Sequence, residues 1–417
     1  MLYELFKWLE DCCNIPGAGL FSFITFRAGM AVVISLLISM VYGGRILRYL
    51  RKLQIGETVR DLGLEGQKQK EGTPTMGGVI IIMAILIPCI LMADLGNVYI
   101  LLMLLATAVM GGIGFLDDYI KVFKKNKEGL SGRFKILGQV VFGLIIALAM
   151  LYHEDITVRV GLDEAKTKGY EIVKTDVIQD ASGVDKEYAY VKTTLTNLPF
   201  IKGNNFDYRS LLWFLGDNAR VWVWIVFVPI VIFVVTAVSN AANLTDGLDG
   251  LATGVSGIIG VTLAIFSYVS GNSIAAEYLN IHFIPGSGEL VIFSSCFLGA
   301  SIGFLWYNSH PAQIFMGDTG SLTLGGIIAA MAILLRKELL IPLLCGIFLV
   351  ENLSVVLQVA WFKYTKRKTG EGKRIFLMAP LHHHYQKKGM PETKIVIRFW
   401  IVGIMLAVLT ILTLKIR

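Results

Sequence analysis

Runs of apolar residues recur along the whole chain and constrain its fold more than any other feature. A helix needs about 20 apolar residues to cross a bilayer. Runs near that length lie at 21–43, 77–93, 98–116, 134–152, 219–239, 251–270, 290–307, 320–335, 339–362 and 394–414. Only 17% of the residues are charged, against about 25% in soluble domains. The sequence therefore predicts an all-α polytopic membrane protein with about ten transmembrane helices, as one domain over residues 1–417.

Lysine and arginine are concentrated in the loops after the first, third and ninth runs. They are Arg45, Arg48, Arg51, Lys52, Arg60, Lys68 and Lys70, then Lys121, Lys124, Lys125, Lys127 and Arg133, then Lys363, Lys366, Arg367, Lys368, Lys373, Arg374, Lys387 and Lys388. The loops after the second and sixth runs contain neither residue type. Because cytoplasmic loops are enriched in both, we predict that odd-numbered loops face the cytoplasm and that both termini lie outside.

A long polar stretch, about 153–218, separates the fourth and fifth runs. Its position in the alternation predicts an extracytoplasmic location, since long loops translocate largely regardless of charge. The segment 188–194 is rich in aromatic and β-branched residues that alternate with others. That pattern predicts a small strand-rich insertion that contains a hairpin.

Five polar motifs all fall on odd-numbered loops. In chain order they are Lys70-Glu-Gly-Thr-Pro-Thr75, Asp117-Asp118-Tyr119, Asn240-Ala-Ala-Asn243-Leu244-Thr-Asp246-Gly-Leu-Asp249-Gly, Asn308 with Met316-Gly-Asp318-Thr-Gly-Ser321, and Met378-Ala-Pro-Leu-His382-His383-His384-Tyr385. Ionisable residues at membrane depth are costly and mark functional sites. Their restriction to one side predicts a single functional site on the cytoplasmic face.

Asp117 and Asp118 end the third run. Two adjacent carboxylates repel each other, and the negative end of a helix dipole disfavours both. A divalent cation or a basic group would relieve this repulsion. The alternative is a solvated helix end, in which Lys121 pairs with Asp117 at the i,i+4 spacing.

Asp246 and Asp249 are three residues apart, so they share a face if their segment begins a helix. Both of them, and Asp318 before the eighth run, are also suited to simple helix capping. Taken together, however, five carboxylates on one membrane face point to a site for Mg²⁺ and phosphate, because Mg²⁺ binds one or two carboxylates plus substrate oxygens.

The three consecutive histidines, His382, His383 and His384, invite comparison with a zinc site. Neighbours in sequence cannot all face one ion without a strained loop, and neither Cys nor Glu stands beside them at ligand spacing. We therefore favour polar contacts with an anionic substrate. No phosphate-binding Walker loop or dinucleotide-binding glycine motif occurs in the sequence.

The five motifs, read together and in order, resemble the polyprenyl-phosphate N-acetylhexosamine-1-phosphate transferase superfamily. Within it, they are most similar to the phospho-N-acetylmuramoyl-pentapeptide transferases. The resemblance runs from about residue 21 to the C-terminus and is interrupted mainly by the long polar stretch. Five ordered motifs are specific, whereas each one alone is a weak signal.

This resemblance implies a bacterial inner-membrane enzyme with a cytoplasmic active site. Such enzymes transfer phospho-MurNAc-pentapeptide from UDP-MurNAc-pentapeptide to undecaprenyl phosphate and release UMP. The product, lipid I, is formed in the first membrane step of peptidoglycan synthesis. The resemblance also implies Mg²⁺ as cofactor and a homodimer in the membrane, and it gives no role to nucleic acid.

Residue by residue, the resemblance implies that Asp117, Asp118 and Asp318 are catalytic and that Asp318 binds the metal. Asp117 is the favoured base for the lipid phosphate, although a two-step route with Asp117 or Asp118 as nucleophile stays open. The implied substrate-binding residues are Lys70, Thr75, Lys121, Asn243, Leu244, Asp246, Asp249, Asn308, Phe315, Gln358, His382, His383 and His384.

Two other functions remain as alternatives. A sister transferase would apply the same chemistry to UDP-N-acetylglucosamine, although the histidine motif resembles the MurNAc branch. An ion-coupled secondary transporter would place its acidic residues near the bilayer midplane and repeat its motifs in two halves. Here the acids lie toward one face and no inverted repeat of the motifs is visible.

Overall fold

The computed structural model describes residues 1–13, 16–53, 70, 72–124, 126, 128–179, 185–198 and 205–415. Among the basic residues used above to predict orientation, Arg60, Lys68, Lys125 and Lys127 lie outside this description. Six α-helices precede the first strand in the part of the chain that is described. They are α1 (Leu2–Cys13), α2 (Ile24–Leu37), α3 (Gly43–Lys52), α4 (Gly78–Met92), α5 (Val98–Phe123) and α6 (Gly132–Tyr152).

The polar stretch between the fourth and fifth apolar runs contains strands, as predicted. Its elements are β1 (Val158–Gly161), α7 (Leu162–Thr167), β2 (Glu171–Gln179), β3 (Asp185–Lys192), β4 (Leu195–Asn197) and β5 (Asn205–Asp207). An antiparallel sheet has the order β1-β3-β2, and β4 pairs with β5 in a second sheet. The β2–β3 pairing, in which Gln179 faces Asp185, confirms the predicted hairpin.

Ten helices follow the sheets. They are α8 (Ala219–Trp222), α9 (Trp224–Thr245), α10 (Leu251–Gly271), α11 (Ser273–Leu279), α12 (Leu290–Asn308), α13 (Gly317–Leu334), α14 (Ile341–Leu344), α15 (Gly346–Thr369), α16 (Leu381–Lys387) and α17 (Glu392–Thr413). A 3₁₀ segment, Tyr208–Asn218, connects β5 to α8. Within the described ranges, nine helical segments are long and apolar enough to cross a membrane.

These segments confirm the predicted polytopic architecture. The first is continuous over Ile24–Lys52, because a π-helical turn at Ile38–Tyr42 joins α2 to α3. The predicted second span corresponds to α4, which has only 15 residues. At 1.5 Å per residue α4 is about 22 Å long, shorter than the roughly 30 Å hydrocarbon core of a bilayer.

Helix α13 forms the centre of the bundle. Its 18-residue apolar window is 89% buried, and α4, α5, α9 and α10 pack around it. Glycines permit this close packing: a Cβ at Gly78 of α4 or at Gly114 of α5 would collide with backbone atoms in the first turn of α13. The first turn of α13 is therefore enclosed by neighbouring helices, and it carries Asp318.

The opposite end of α13 supports the strand-rich insertion. Arg336, Lys337 and Glu338 are all nearly fully buried there. The backbone N–H of Asn197 in β4 donates to the carbonyl of Arg336 at 3.0 Å, and Lys337 donates to the side chain of Asn197. Burial lowers the pKa of Lys337 to about 7. The insertion is thus fixed to the bundle by buried polar contacts.

Candidate active site

Three aspartates from two helices meet at the end of the bundle where α13 begins. Asp117 and Asp118 lie in the last turns of α5, and Asp318 lies in the first turn of α13. One carboxylate oxygen from each lies within 4.8 Å of those of the other two. We call these three residues the aspartate cluster. Asp318 is 200 residues from Asp118 in sequence, and the close packing of α5 on α13 brings the three together.

Asp117 is completely buried, yet two lysines reach it. Lys121 Nζ lies 2.5 Å from Asp117 Oδ2, which is the i,i+4 pair considered above. Lys135 Nζ lies 2.8 Å from Asp117 Oδ1, which also accepts the backbone N–H of Leu130 at 2.7 Å. A carboxylate withdrawn from water requires such partners, because an unpaired buried charge is very costly.

Asp318 shares the same two lysines and is slightly more open, with 15% of its side chain exposed. Its Oδ2 lies 2.6 Å from Lys135 Nζ and 3.2 Å from Lys121 Nζ. Its Oδ1 accepts a hydrogen bond from Asn243 Nδ2 at 3.0 Å, and Asn243 also donates to Ser321 Oγ at 2.8 Å. Asn243, at the end of α9, therefore orients Asp318, the residue that the resemblance implies as metal ligand.

Lys135 was missed by the sequence analysis. It lies in the first turns of α6, at the start of the fourth apolar run, and bridges Asp117 and Asp318. A lysine inside an otherwise apolar span is costly unless it meets a carboxylate. That was the signal available in the sequence, but the partner belongs to other helices and sequence spacing does not reveal it.

Asp118 has a different environment from Asp117. Its Oδ1 accepts the backbone N–H of Asp318 at 3.1 Å, and its Oδ2 accepts the N–H and the hydroxyl of Thr319 at 2.9 and 2.6 Å. The two N–H groups belong to the first turn of α13, where a carboxylate is favoured by the helix dipole. The sequence is also compatible with Asp318 as a simple cap for this helix, but in the structure Asp118 accepts the first-turn N–H groups and caps it.

The aspartate cluster has the donor chemistry of a Mg²⁺ site. Its ligands are hard carboxylate oxygens, which Mg²⁺ prefers, and they lie close enough together to share one ion. Asp117 and Asp318 are paired with the ammonium groups of Lys121 and Lys135, so both carboxylates stand where positive charge is already accommodated. The residues therefore fit the metal that the resemblance implies.

A second polar cluster contains four residues from loops and helix ends. Lys70 Nζ lies 2.7 Å from Asp249 Oδ1 and 2.7 Å from Glu392 Oε1. His310 Nδ1 lies 3.0 Å from Asp249 Oδ2. We call Lys70, Asp249, His310 and Glu392 the Lys70 cluster. Burial acts to lower the pKa of Lys70, but Glu392 and Asp249 outweigh it and raise this pKa above its usual range.

Three of the five carboxylates of the sequence motifs form the aspartate cluster, and a fourth, Asp249, belongs to the Lys70 cluster. The segment 246–250 is a turn, since α10 begins only at Leu251, so Asp246 and Asp249 do not share a helical face. Leu244 is half-buried in the last turn of α9, beside Asn243.

The remaining predicted residues before the histidine motif connect the two clusters. Thr75 is buried beside Gly317, next to Asp318. Phe315 pairs through its backbone N–H with the carbonyl of Pro74 at 2.8 Å, and its ring centroid lies 6.0 Å from Lys70 Nζ. Asn308 accepts the backbone N–H of Gly250 at 3.1 Å. These contacts hold the loop of Lys70 against the loop before α13.

The histidines occupy three different environments. His382 is completely buried, and its Nδ1 donates to Glu351 Oε2 at 3.0 Å. His383 is half-buried beside Gln386, and burial together with His382 lowers its pKa to about 4. His384 accepts the backbone N–H of Leu377 at 3.1 Å. Only His383 and His384 offer exposed surface to a ligand, and His383 is neutral at neutral pH.

Gln358 of α15 holds the chain that leads to the histidine motif. Its Oε1 accepts the N–H groups of Ile375 and Phe376 at 3.0 Å each, and its Nε2 donates to the carbonyl of Phe376 at 3.1 Å. The predicted binding residue Gln358 therefore makes backbone contacts within the protein. Glu351, two turns before Gln358 on the same face of α15, was not identified from the sequence.

These features define a polytopic membrane protein with lysine-paired carboxylates at one end of its helix bundle. Residues 170–336 match the family model described as Glycosyl transferase family 4, and residues 70–82 match Phospho-N-acetylmuramoyl-pentapeptide-transferase signature 1. The class is therefore that of integral membrane glycosyl transferases.

Similarity to individual proteins extends over the entire chain. The chain is 58% identical to the phospho-N-acetylmuramoyl-pentapeptide-transferase of Flavobacterium psychrophilum, with 100% of both chains covered. The corresponding proteins of Parabacteroides distasonis and Porphyromonas gingivalis are 57% and 54% identical, again with 100% of both chains covered. The chain belongs to the phospho-N-acetylmuramoyl-pentapeptide-transferase family.

Proposed function

We propose that this protein transfers phospho-MurNAc-pentapeptide from UDP-MurNAc-pentapeptide to undecaprenyl phosphate, forming lipid I and UMP. The observation that carries the proposal is the aspartate cluster with Lys121 and Lys135, in a chain whose relatives are named for this transfer over their full length. The proposed location is the bacterial inner membrane, with the aspartate cluster on the cytoplasmic side, where the lysine- and arginine-rich loops lie.

The chain's own residues supply the electrostatics that the reaction requires. Both substrates carry phosphate, so their approach meets charge repulsion, and catalysis of phosphoryl transfer is mostly positioning and charge stabilisation. Lys121 and Lys135 bridge Asp117 and Asp318 and can turn to phosphate oxygens when substrate enters. Asn243 of α9 orients Asp318, and Ser321 of α13 accepts a second hydrogen bond from the same Asn243 amide.

Asp117 and Asp118 have separate roles in this proposal. Asp117 accepts the remaining proton of a monoprotonated lipid phosphate, whose second pKa is about 6. Asp118 already accepts three hydrogen bonds from the first turn of α13 and serves to position that turn. This division favours direct attack of the lipid phosphate over a covalent intermediate on Asp118.

We propose Asp318 as the principal Mg²⁺ ligand, with Asp117 beside it. These residues would hold the ion, which would supply positive charge for the diphosphate and the leaving UMP. Homodimerisation, which the sequence resemblance implies, stays a prediction.

The test is UMP release by the purified, detergent-solubilised protein. We expect release that requires UDP-MurNAc-pentapeptide, undecaprenyl phosphate and Mg²⁺, and that stops when EDTA is added. Asp318→Ala should abolish turnover while the protein remains folded, whereas Asp155→Ala, which removes an exposed carboxylate from the insertion, should not change it.

Three outcomes would contradict parts of the proposal. Turnover with UDP-N-acetylglucosamine in place of the MurNAc donor would assign the protein to the sister chemistry. Full activity in EDTA would contradict the proposed requirement for Mg²⁺. Near-normal activity of Asp318→Ala would contradict the proposal that Asp318 is the metal ligand. Absence of UMP release with either donor would reject the transferase function itself.

A further inference from the structure

Glu392 lies outside all five sequence motifs, yet it is central to the Lys70 cluster. It occupies the first position of α17, and only 10% of its side chain is exposed. Its Oε1 accepts Lys70 Nζ at 2.7 Å and also the backbone N–H of Asp249 at 2.7 Å. One carboxylate oxygen thus contacts both a predicted binding lysine and the loop that carries a predicted binding aspartate.

The contacts leave Lys70 little freedom. Two of its three N–H donors point to Asp249 and Glu392, and Asp249 is itself fixed by His310 Nδ1 and by the backbone N–H of Ala312, each at 3.0 Å. Lysine has a long, flexible side chain that loses rotamer freedom when it is fixed. Without the carboxylates, that freedom would have to be lost when a ligand binds, and affinity would fall.

We infer that Glu392 is a positioning residue for the transfer reaction, which holds Lys70 and the Asp249 loop in the arrangement that binds the nucleotide donor. It acts through these two residues and does not itself touch the reacting atoms. The inference rests on the proposed function for its kinetic consequence. It predicts weaker donor binding without loss of the chemical step, because Glu392 makes no contact with the aspartate cluster.

The test compares Glu392→Gln with the parent enzyme in steady-state kinetics. Gln keeps an oxygen for the Asp249 N–H but loses the charge that fixes Lys70. We expect KM for the donor to rise about tenfold, as for the loss of about 1.4 kcal/mol, while kcat stays within twofold. Glu371→Gln is the matched control, because the side chain of Glu371 is exposed in the loop after α15.

A double mutant separates positioning through Lys70 from a general structural effect. If Glu392 acts through Lys70, Glu392→Gln should raise KM much less in the Lys70→Gln background than in the parent enzyme. The reason is that the effects of substitutions at two interacting residues are not additive. Equal effects in both backgrounds would overturn the inference. An unchanged KM for Glu392→Gln, or a loss confined to kcat, would also overturn it.

A labelling experiment tests the contact independently of transferase activity. The paired ammonium of Lys70 should react slowly with an amine-selective acetylating reagent, and Glu392→Gln should increase acetylation of Lys70 severalfold, as measured by mass spectrometry. Lys366 on α15 is the internal reference. Unchanged labelling of Lys70 in a folded variant would reject the positioning role, even if the protein proved not to be a transferase.

Discussion

Asp118 shows how one residue can combine the chemistry of a catalytic motif with a capping role. Its two oxygens accept all three donors that Asp318 and Thr319 present at the start of α13. The adjacent Asp117 instead contacts lysines and a loop N–H. The paired acids of the motif are thus not equivalent, although the sequence presents them as neighbours.

This difference predicts that Asp118→Asn destabilises the protein even without substrate. The amide nitrogen of Asn cannot accept a hydrogen bond, so one oxygen must serve donors that two oxygens serve now. Loss of a helix cap costs about 0.5–2 kcal/mol, and we expect the free energy of unfolding in detergent to fall by about that amount. Chemical denaturation monitored by tryptophan fluorescence would measure it.

The control for this substitution is Asp11→Asn, which changes an exposed carboxylate on α1. It should leave stability unchanged. If Asp118→Asn were as stable as the parent, Asp118 would not be the cap of α13, and a role limited to catalysis would become the better explanation.

At the scale of elements, the close packing of α5 on α13 brings the aspartate cluster together. Gly114 of α5 faces the backbone of Asp318, and no Cβ fits between them. We predict that Gly114→Ala separates the two helices and lowers the free energy of unfolding by about 1–3 kcal/mol, because the added Cβ overpacks the contact. We also expect kcat to fall about 100-fold, since a displacement of about 1 Å at a reacting centre has that effect. UMP release and thermal unfolding would measure both.

Gly112→Ala is the matched control on the same helix, because a Cβ at Gly112 meets no atom within 4 Å. Alanine is favoured over glycine in a helix by about 1 kcal/mol, so this variant should be at least as stable as the parent and equally active. Equal losses of activity in Gly112→Ala and Gly114→Ala would show that the spacing between α5 and α13 does not cause the loss in Gly114→Ala.

The helices were predictable because each is encoded locally, whereas the site was predictable only in part. The apolar runs 98–116 and 251–270 predicted the starts of α5 and α10 correctly and the end of α10 to within one residue, whereas α5 continues to Phe123. The motif positions indicated which helix ends carry polar clusters. Lys135, Glu351 and Glu392 were not predicted. Each meets its partner across a helix–helix or loop–helix contact, and no sequence spacing records such a contact.

At the scale of the whole molecule, α13 separates two polar regions. Its 18 residues span about 27 Å, from the aspartate cluster at its first turn to the buried Arg336, Lys337 and Glu338 beyond its last. The first region contains the proposed chemistry, and the second fixes the strand-rich insertion. A change at the insertion end should therefore alter stability without altering catalysis.

Tyr208→Phe tests this separation. Tyr208 is buried, and its hydroxyl donates to Glu338 Oε1 at 2.9 Å. Removing the hydroxyl takes one hydrogen-bond donor away from a buried carboxylate, which costs about 1–3 kcal/mol. We expect a lower unfolding temperature in detergent, with kcat and KM for UMP release within twofold of the parent.

Tyr49→Phe provides the comparison, because Tyr49 is 62% exposed at the end of the first span. Its unfolding temperature should match that of the parent, so that any decrease in Tyr208→Phe reflects the lost contact with Glu338 and not the general loss of a hydroxyl group. If Tyr208→Phe instead reduced kcat at full stability, the two ends of α13 would be coupled, and the insertion would have to be treated as part of the catalytic apparatus.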